Sequence, residues 1–211
     1  MVTSDISAEH MKPQPSGLSN VVVIAAACAV VLAAYLVILA ASGTGVRVLK
    51  DTATVYQLPI FTGLVTEIGI YTLVTGAAIA CFGAVMAQID RRKLMAAGAL
   101  SAVLAFDDRY LFHERLAPAY FGASEEVVIL LYAIWAIAVT LSFGRRLVAP
   151  AQWPLLLSGV ALFVSVALDI LSDDALGLPV AEDLAKLLGF ALWSGFWIRH
   201  AYRSIRTGGM E

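Results

Sequence analysis

The sequence predicts an all-α fold, a polytopic membrane bundle of about six transmembrane helices, and three observations carry that prediction. Hydrophobic residues make up 60% of the 211 and charged residues only 14%, more apolar material than a soluble core of this size uses. Mean hydropathy is +0.84. The apolar residues are also gathered into long runs separated by short polar punctuation, the pattern of helices crossing ~30 Å of hydrocarbon at ~1.5 Å per residue.

The runs fall at 19–42, 58–88, 94–117, 125–143, 153–174 and 180–204. Residues 1–18 precede them as a polar, proline-bearing tail expected to be disordered, and residues 205–211 follow as a short second tail. Ser42-Gly43-Thr44-Gly45, Asp90-Arg91-Arg92-Lys93, Pro118, Gly144-Arg145-Arg146 and Leu176-Gly177-Leu178-Pro179 mark the boundaries. Loops this short make consecutive helices antiparallel neighbours.

Orientation follows from the positively charged residues. Lys12, Arg91, Arg92, Lys93, Arg145, Arg146, Arg199, Arg203 and Arg206 share one side if the N-terminus is cytoplasmic, which puts both termini inside a bacterial inner (plasma) membrane. Net charge is -2, so no basic excess points to nucleic acid. Cys28 and Cys81 lie inside apolar runs without CxxC spacing and read as packing residues. In the second run Gly69, Gly76 and Gly83 recur every seven residues, a stripe on which a neighbouring helix can approach closely.

The chemistry-bearing segment is Phe106-Asp107-Asp108-Arg109-Tyr110-Leu111-Phe112-His113-Glu114-Arg115. On a continuous helix Asp107 and Glu114 nearly superimpose, and Tyr110 and His113 widen that face. Asp108 and Arg115 fall on another face and read as a local ion pair. Glu67, about nine residues into the second run, is expected at the depth of Asp107. Asp169 with Ser172 and Asp173 joins from the fifth run, and Lys186, four after Glu182, from the sixth. Glu125 and Glu126 read as helix N-terminal charges, as do Glu182 and Asp183, while His200 sits at the cytoplasmic end with no acid cluster nearby.

An ionised carboxylate deep in a bilayer costs ~2.5–3.5 kcal/mol on insertion scales, so these groups must pair, hold protons or bind a cation. The expected site is therefore a divalent-metal centre formed by Asp107, His113, Glu114, Asp169 and Glu67, with Mn, Fe, Zn, Mg and Ca all open. In that reading Glu67, Asp107 and Lys186 carry hydrolase-like or other metal-dependent chemistry on a membrane lipid or small molecule, with Lys186 or Arg109 binding an anionic group such as a lipid phosphate. Two other classes stand beside it: a structural or accessory membrane subunit with a buried polar network, and a small cation- or proton-coupled carrier. Tyr110-Leu111-Phe112-His113 and its neighbouring aspartates resemble a fragment of the alkaline ceramidase-like membrane hydrolases, but that family's paired late-helix histidines have no counterpart here, and the chain is not assigned to it.

Overall fold

The computed structural model describes residues 62–171 and 178–208, together with the single positions 29, 30, 33, 37, 57 and 59. The chain divides into two compact units, Met1–Thr62 and Gly63–Glu211. The expected first span, 19–42, belongs to the first unit and lies almost wholly outside the described residues, as do the tail 1–18 and the positions Ser172, Asp173 and Asp174.

The second unit is helical, with no strand among the described residues. Its elements are α1 (Leu64–Met86), α2 (Arg91–Tyr110), a π-helical segment (Phe112–Phe121), α3 (Glu125–Leu141), two 3-10 turns (Gly144–Val148 and Pro150–Gln152), α4 (Trp153–Leu171) and α5 (Leu178–Gly208). Helix α1 packs against both α2 and α5, and α5 also packs along α4. Helix α3 lies at the edge, touching α2 and the π segment.

The glycine stripe of α1 faces α5, as small residues at a close helix crossing should. A Cβ on Gly76 would fall 2.7 Å from Ser194 Oγ, one on Gly83 2.7 Å from Ala201 Cβ, and one on Gly69 3.3 Å from the Phe190 ring. Between these contacts sit Leu73, Ala80, Trp193 and Trp197, all at most 4% exposed. Trp193 Nε1 donates to Ser101 Oγ at 2.9 Å and so ties α5 to α2 as well. Large apolar side chains meanwhile cover the outside: Val74, Phe82 and Val85 on α1, Leu130 and Ile134 on α3, Val160 and Phe163 on α4 are each at least half exposed. An apolar exterior on this scale is at home in lipid and not in water.

Among the described residues, which leave out the first expected span, fewer helices meet the requirements of a full span than the six expected. Leu64–Met86 and Pro150–Asp169 are long and apolar enough to cross a membrane, and the pair Phe112–Phe121 and Glu125–Leu141 would make a third if taken as one span broken by a bend of 119°. In α2 and α5 charge is the reason. In α2 the uncharged stretch Leu94–Phe106 has 13 residues, about 20 Å at ~1.5 Å each, because Arg91 to Lys93 and Asp107 to Arg109 close in from both ends. In α5 the uncharged stretch Leu187–Ile198 is shorter still, about 18 Å.

The run 94–117 is also not one helix. Leu111 adopts φ 52 and ψ 48, a left-handed conformation that costs a non-glycine residue roughly 1–2 kcal/mol. The helical phase is lost there, and the π segment containing Pro118 starts afresh. Asp107 and Glu114 therefore do not share a helix face.

At the opposite end, Arg91 Nε donates to Ala84 O at 2.9 Å and Lys93 meets Asp90 at 2.8 Å, closing the α1–α2 turn. His200 Nε2 also lies 3.1 Å from Asp90, a single acid where no cluster was expected. Burial pushes the Asp90 carboxyl up, but the hydrogen bond and charge of Lys93 and the charge of His200 together hold it below its ordinary value.

Candidate functional site

The break at Leu111 builds the site. It turns the chain back so that His113 N donates to Asp107 Oδ1 at 2.9 Å, while the His113 imidazole donates through Nδ1 to Asp107 Oδ2. Tyr132 of α3 donates its hydroxyl to Asp107 Oδ1 at 3.0 Å. Three donors from two elements thus surround a carboxylate that is 5% exposed, which is how a buried acid is made tolerable.

With Nδ1 committed to Asp107, the other ring nitrogen is the free one. Nε2 of His113 points between two carboxylates, 3.8 Å from Glu114 Oε1 and 3.7 Å from Glu125 Oε1. Both glutamates are partly exposed, at 43% and 39%, and face the opening of the site. An imidazole fixed through one nitrogen by a carboxylate and presenting the other is the arrangement that orients a metal-ligating or proton-handling histidine.

Beside this unit lies a second. Lys186 Nζ sits 3.7 Å from Asp108 Oδ1 and 3.8 Å from Glu182 Oε1, bridging α2 and α5. Asp108 Oδ2 is buried without a hydrogen-bond partner among the described residues. Glu182 in turn lies within electrostatic range of Asp169, Asp183 and Glu114, and Asp108 within range of His113. The acids of α2, the π segment, α4 and α5 are therefore gathered at one end of the unit, with Lys186 and His113 set among them.

The sequence-derived ligand set is rearranged in three ways. Glu67 leaves the cluster: α1 begins at Leu64, which makes Glu67 a first-turn residue, and it pairs with Arg109 Nη1 at 2.5 Å. Asp107 spends its carboxylate on His113 and Tyr132. Asp108 finds Lys186 in place of the expected Arg115. Among the described residues, no three His, Cys, Asp or Glu side chains are grouped closely enough to hold a metal ion, so the five-residue centre of Asp107, His113, Glu114, Asp169 and Glu67 is not assembled.

Two participants were missed in the sequence. Glu125 reads there as a helix-dipole partner, and Tyr132 is not singled out. A signal existed: Glu125 and Tyr132 are seven residues apart on α3, on one face with the buried Val128 between them. That face is the one turned to Asp107 and His113.

Comparison with curated proteins and with solved structures gave no match to either. A family described as a domain of unknown function, DUF8692, matches residues 21–200. That match takes in every group of the site, from Asp107 on α2 to Lys186 on α5, and the chain belongs to the DUF8692 family.

Proposed function

We infer that this is a multi-pass integral membrane protein, crossing a bacterial inner membrane six times with both termini cytoplasmic, whose outer end binds a divalent cation at His113. The arginines and lysines at the α1–α2 turn, the α3–α4 turn and the end of α5 support the orientation. In this reading, α2 and α5 cross despite their charged ends because those charges meet partners inside the bundle and not lipid.

The observation that carries the cation site is the direction of the His113 ring. Asp107 anchors Nδ1, and Nε2 faces Glu114 and Glu125 at 3.8 and 3.7 Å. Those separations are wider than a closed ligand shell. Because both glutamates are partly exposed, a small side-chain rotation would bring their oxygens in around an ion. Two carboxylates with one imidazole favour a hard or borderline divalent ion such as Mn, Fe, Mg or Ca, with Zn as the softer alternative. Asp107 is then a positioning residue. Lys186, held between Asp108 and Glu182, is the group that would meet the anionic part of a lipid or small substrate, and an ion at this place supports hydrolase-like or other metal-dependent chemistry.

Elemental analysis of the detergent-purified chain tests this. Near-stoichiometric divalent metal in the wild type, lost in His113→Ala and Glu125→Gln but kept in Glu67→Gln, is the expected pattern. Metal that is absent from all four proteins after incubation with each ion sinks the reading.

A second reading is favoured by a specific observation: Glu67 with Arg109, Asp108 and Glu182 with Lys186, and Asp107 with His113 and Tyr132 each join different elements. A structural or accessory subunit would use such pairs to fix helix register. It predicts that Asp107→Asn lowers stability with no change in metal content.

A further inference from the structure

Between α1 and α2, on the apolar exterior, runs an open groove of about 530 Å³. Its floor is made of small side chains, Ala77, Ala78 and Cys81 from α1 with Ala102 and Ala105 from α2. Towards the loop-bearing outer end it is walled by Phe106 and Tyr110, whose rings meet at a tilt of 46° with centroids 4.8 Å apart. The groove follows α1 from Ile70 to Cys81, a rise of about 16 Å at ~1.5 Å per residue, roughly half of a ~30 Å hydrocarbon core. It is one leaflet long.

Its outer end is charged. Arg109 lines the groove and pairs with Glu67 at 2.5 Å, and the two side chains are 47% and 34% exposed. A guanidinium carries five N–H donors and Glu67 engages it through a single oxygen, so Arg109 has donors to spare and Glu67 retains a second acceptor. The mouth therefore offers a cation and an anion side by side at the head of a leaflet-long apolar trough.

We propose that the groove binds one zwitterionic glycerophospholipid of the outer leaflet, an acyl chain lying over the alanine floor, the phosphate on Arg109 and the headgroup ammonium on Glu67. The opposite charges of the mouth match both ends of such a headgroup. An anionic lipid or a fatty acid has no partner for Glu67 and must compete with it for Arg109. This site shares with the proposed function only the placement of α1 in a bilayer. None of its residues belongs to the His113 site.

Native mass spectrometry of the full chain, released from micelles doped with palmitoyl-oleoyl phosphatidylethanolamine or phosphatidylglycerol, tests it. The wild type should retain one phosphatidylethanolamine, with affinity about tenfold above that for phosphatidylglycerol, the size of one charge-assisted hydrogen bond. Glu67→Gln should erase that preference by freeing Arg109 for the anionic lipid, and Arg109→Gln should weaken both lipids. Ala78→Phe, at an exposed position on the groove floor, should remove the adduct while metal content stays unchanged. Equal retention of the two lipids by the wild type, or an adduct that survives Ala78→Phe, would overturn the proposal, whatever the outcome at His113.

Discussion

Replacing Tyr132 with phenylalanine removes one oxygen and leaves the ring that packs beside it. That oxygen is the donor to Asp107 Oδ1 at 3.0 Å, on a carboxylate 5% exposed. A hydrogen bond to a charged acceptor is worth ~1.5–3 kcal/mol in proteins at large, whereas polar contacts between membrane helices average ~0.6 kcal/mol and reach ~1.7. Oδ1 keeps its bond from His113 N after the change, so the loss should lie near the top of the membrane range, about 1–1.5 kcal/mol. Equilibrium unfolding in mixed micelles measures it, with Tyr110→Phe as the control, since Tyr110 is 57% exposed. In an Asp107→Asn background the cost of Tyr132→Phe should shrink, because the coupling runs through the charged acceptor. A Tyr132→Phe cost no larger than that of Tyr110→Phe, or one unchanged by Asp107→Asn, would refute the claim that α3 is tied to the site through this bond.

Three further outcomes follow from packing and charge. Gly76→Ala should destabilise by about 1–3 kcal/mol, because its Cβ would meet Ser194 Oγ at 2.7 Å and Ser194 Cα at 3.2 Å and force α1 from α5. Gly195→Ala, with nothing within 4 Å of the added carbon, should be neutral or stabilise by up to about 1 kcal/mol in the same unfolding assay. Asp90 has its folded value depressed below the unfolded 3.8, so its contribution is present above that pH and disappears as pH falls through the folded value. Asp90→Asn should accordingly lower thermal stability at pH 6, by at most about 1 kcal/mol for this partly exposed pair, and the gap to wild type should narrow as pH falls below 3.8.

The helical class, the positions of α1, α3 and α4, and the face of α1 that meets α5 were all legible because each rests on local composition or a fixed period. The Gly69, Gly76 and Gly83 stripe needs only the helical repeat to be placed on one face, and the structure puts Phe190, Ser194 and Ala201 against it. The site was legible in its parts and not in its assembly. His113, Asp107 and Lys186 stand out as charged or titratable groups where apolar residues are expected, but a continuous helix would group Asp107 and His113 differently from the broken one. No glycine marks the break at Leu111, and the nearest proline, Pro118, lies beyond it. A left-handed leucine arises from tertiary demand, here the turn that brings His113 back onto Asp107, and one sequence carries no local signature of it. Glu67 shifts for a related reason: the apolar run starts at 58, whereas α1 begins at Leu64, and the difference moves the acid from about nine residues into the run to the first turn of the helix.

The central claim is that Asp107 fixes His113 so that Nε2 is free for a cation. Nitrogen-15 NMR of the histidine-labelled protein in micelles reads this directly, because the chain has three histidines and His10→Ala and His200→Gln leave His113 alone in the spectrum. The account predicts a proton held on Nδ1 and an Nε2 resonance that moves when Zn²⁺ is added at alkaline pH as a diamagnetic probe ion, with the shift lost in Glu125→Gln. A proton on Nε2 with Nδ1 bare, or an Nε2 resonance indifferent to the ion, would contradict it.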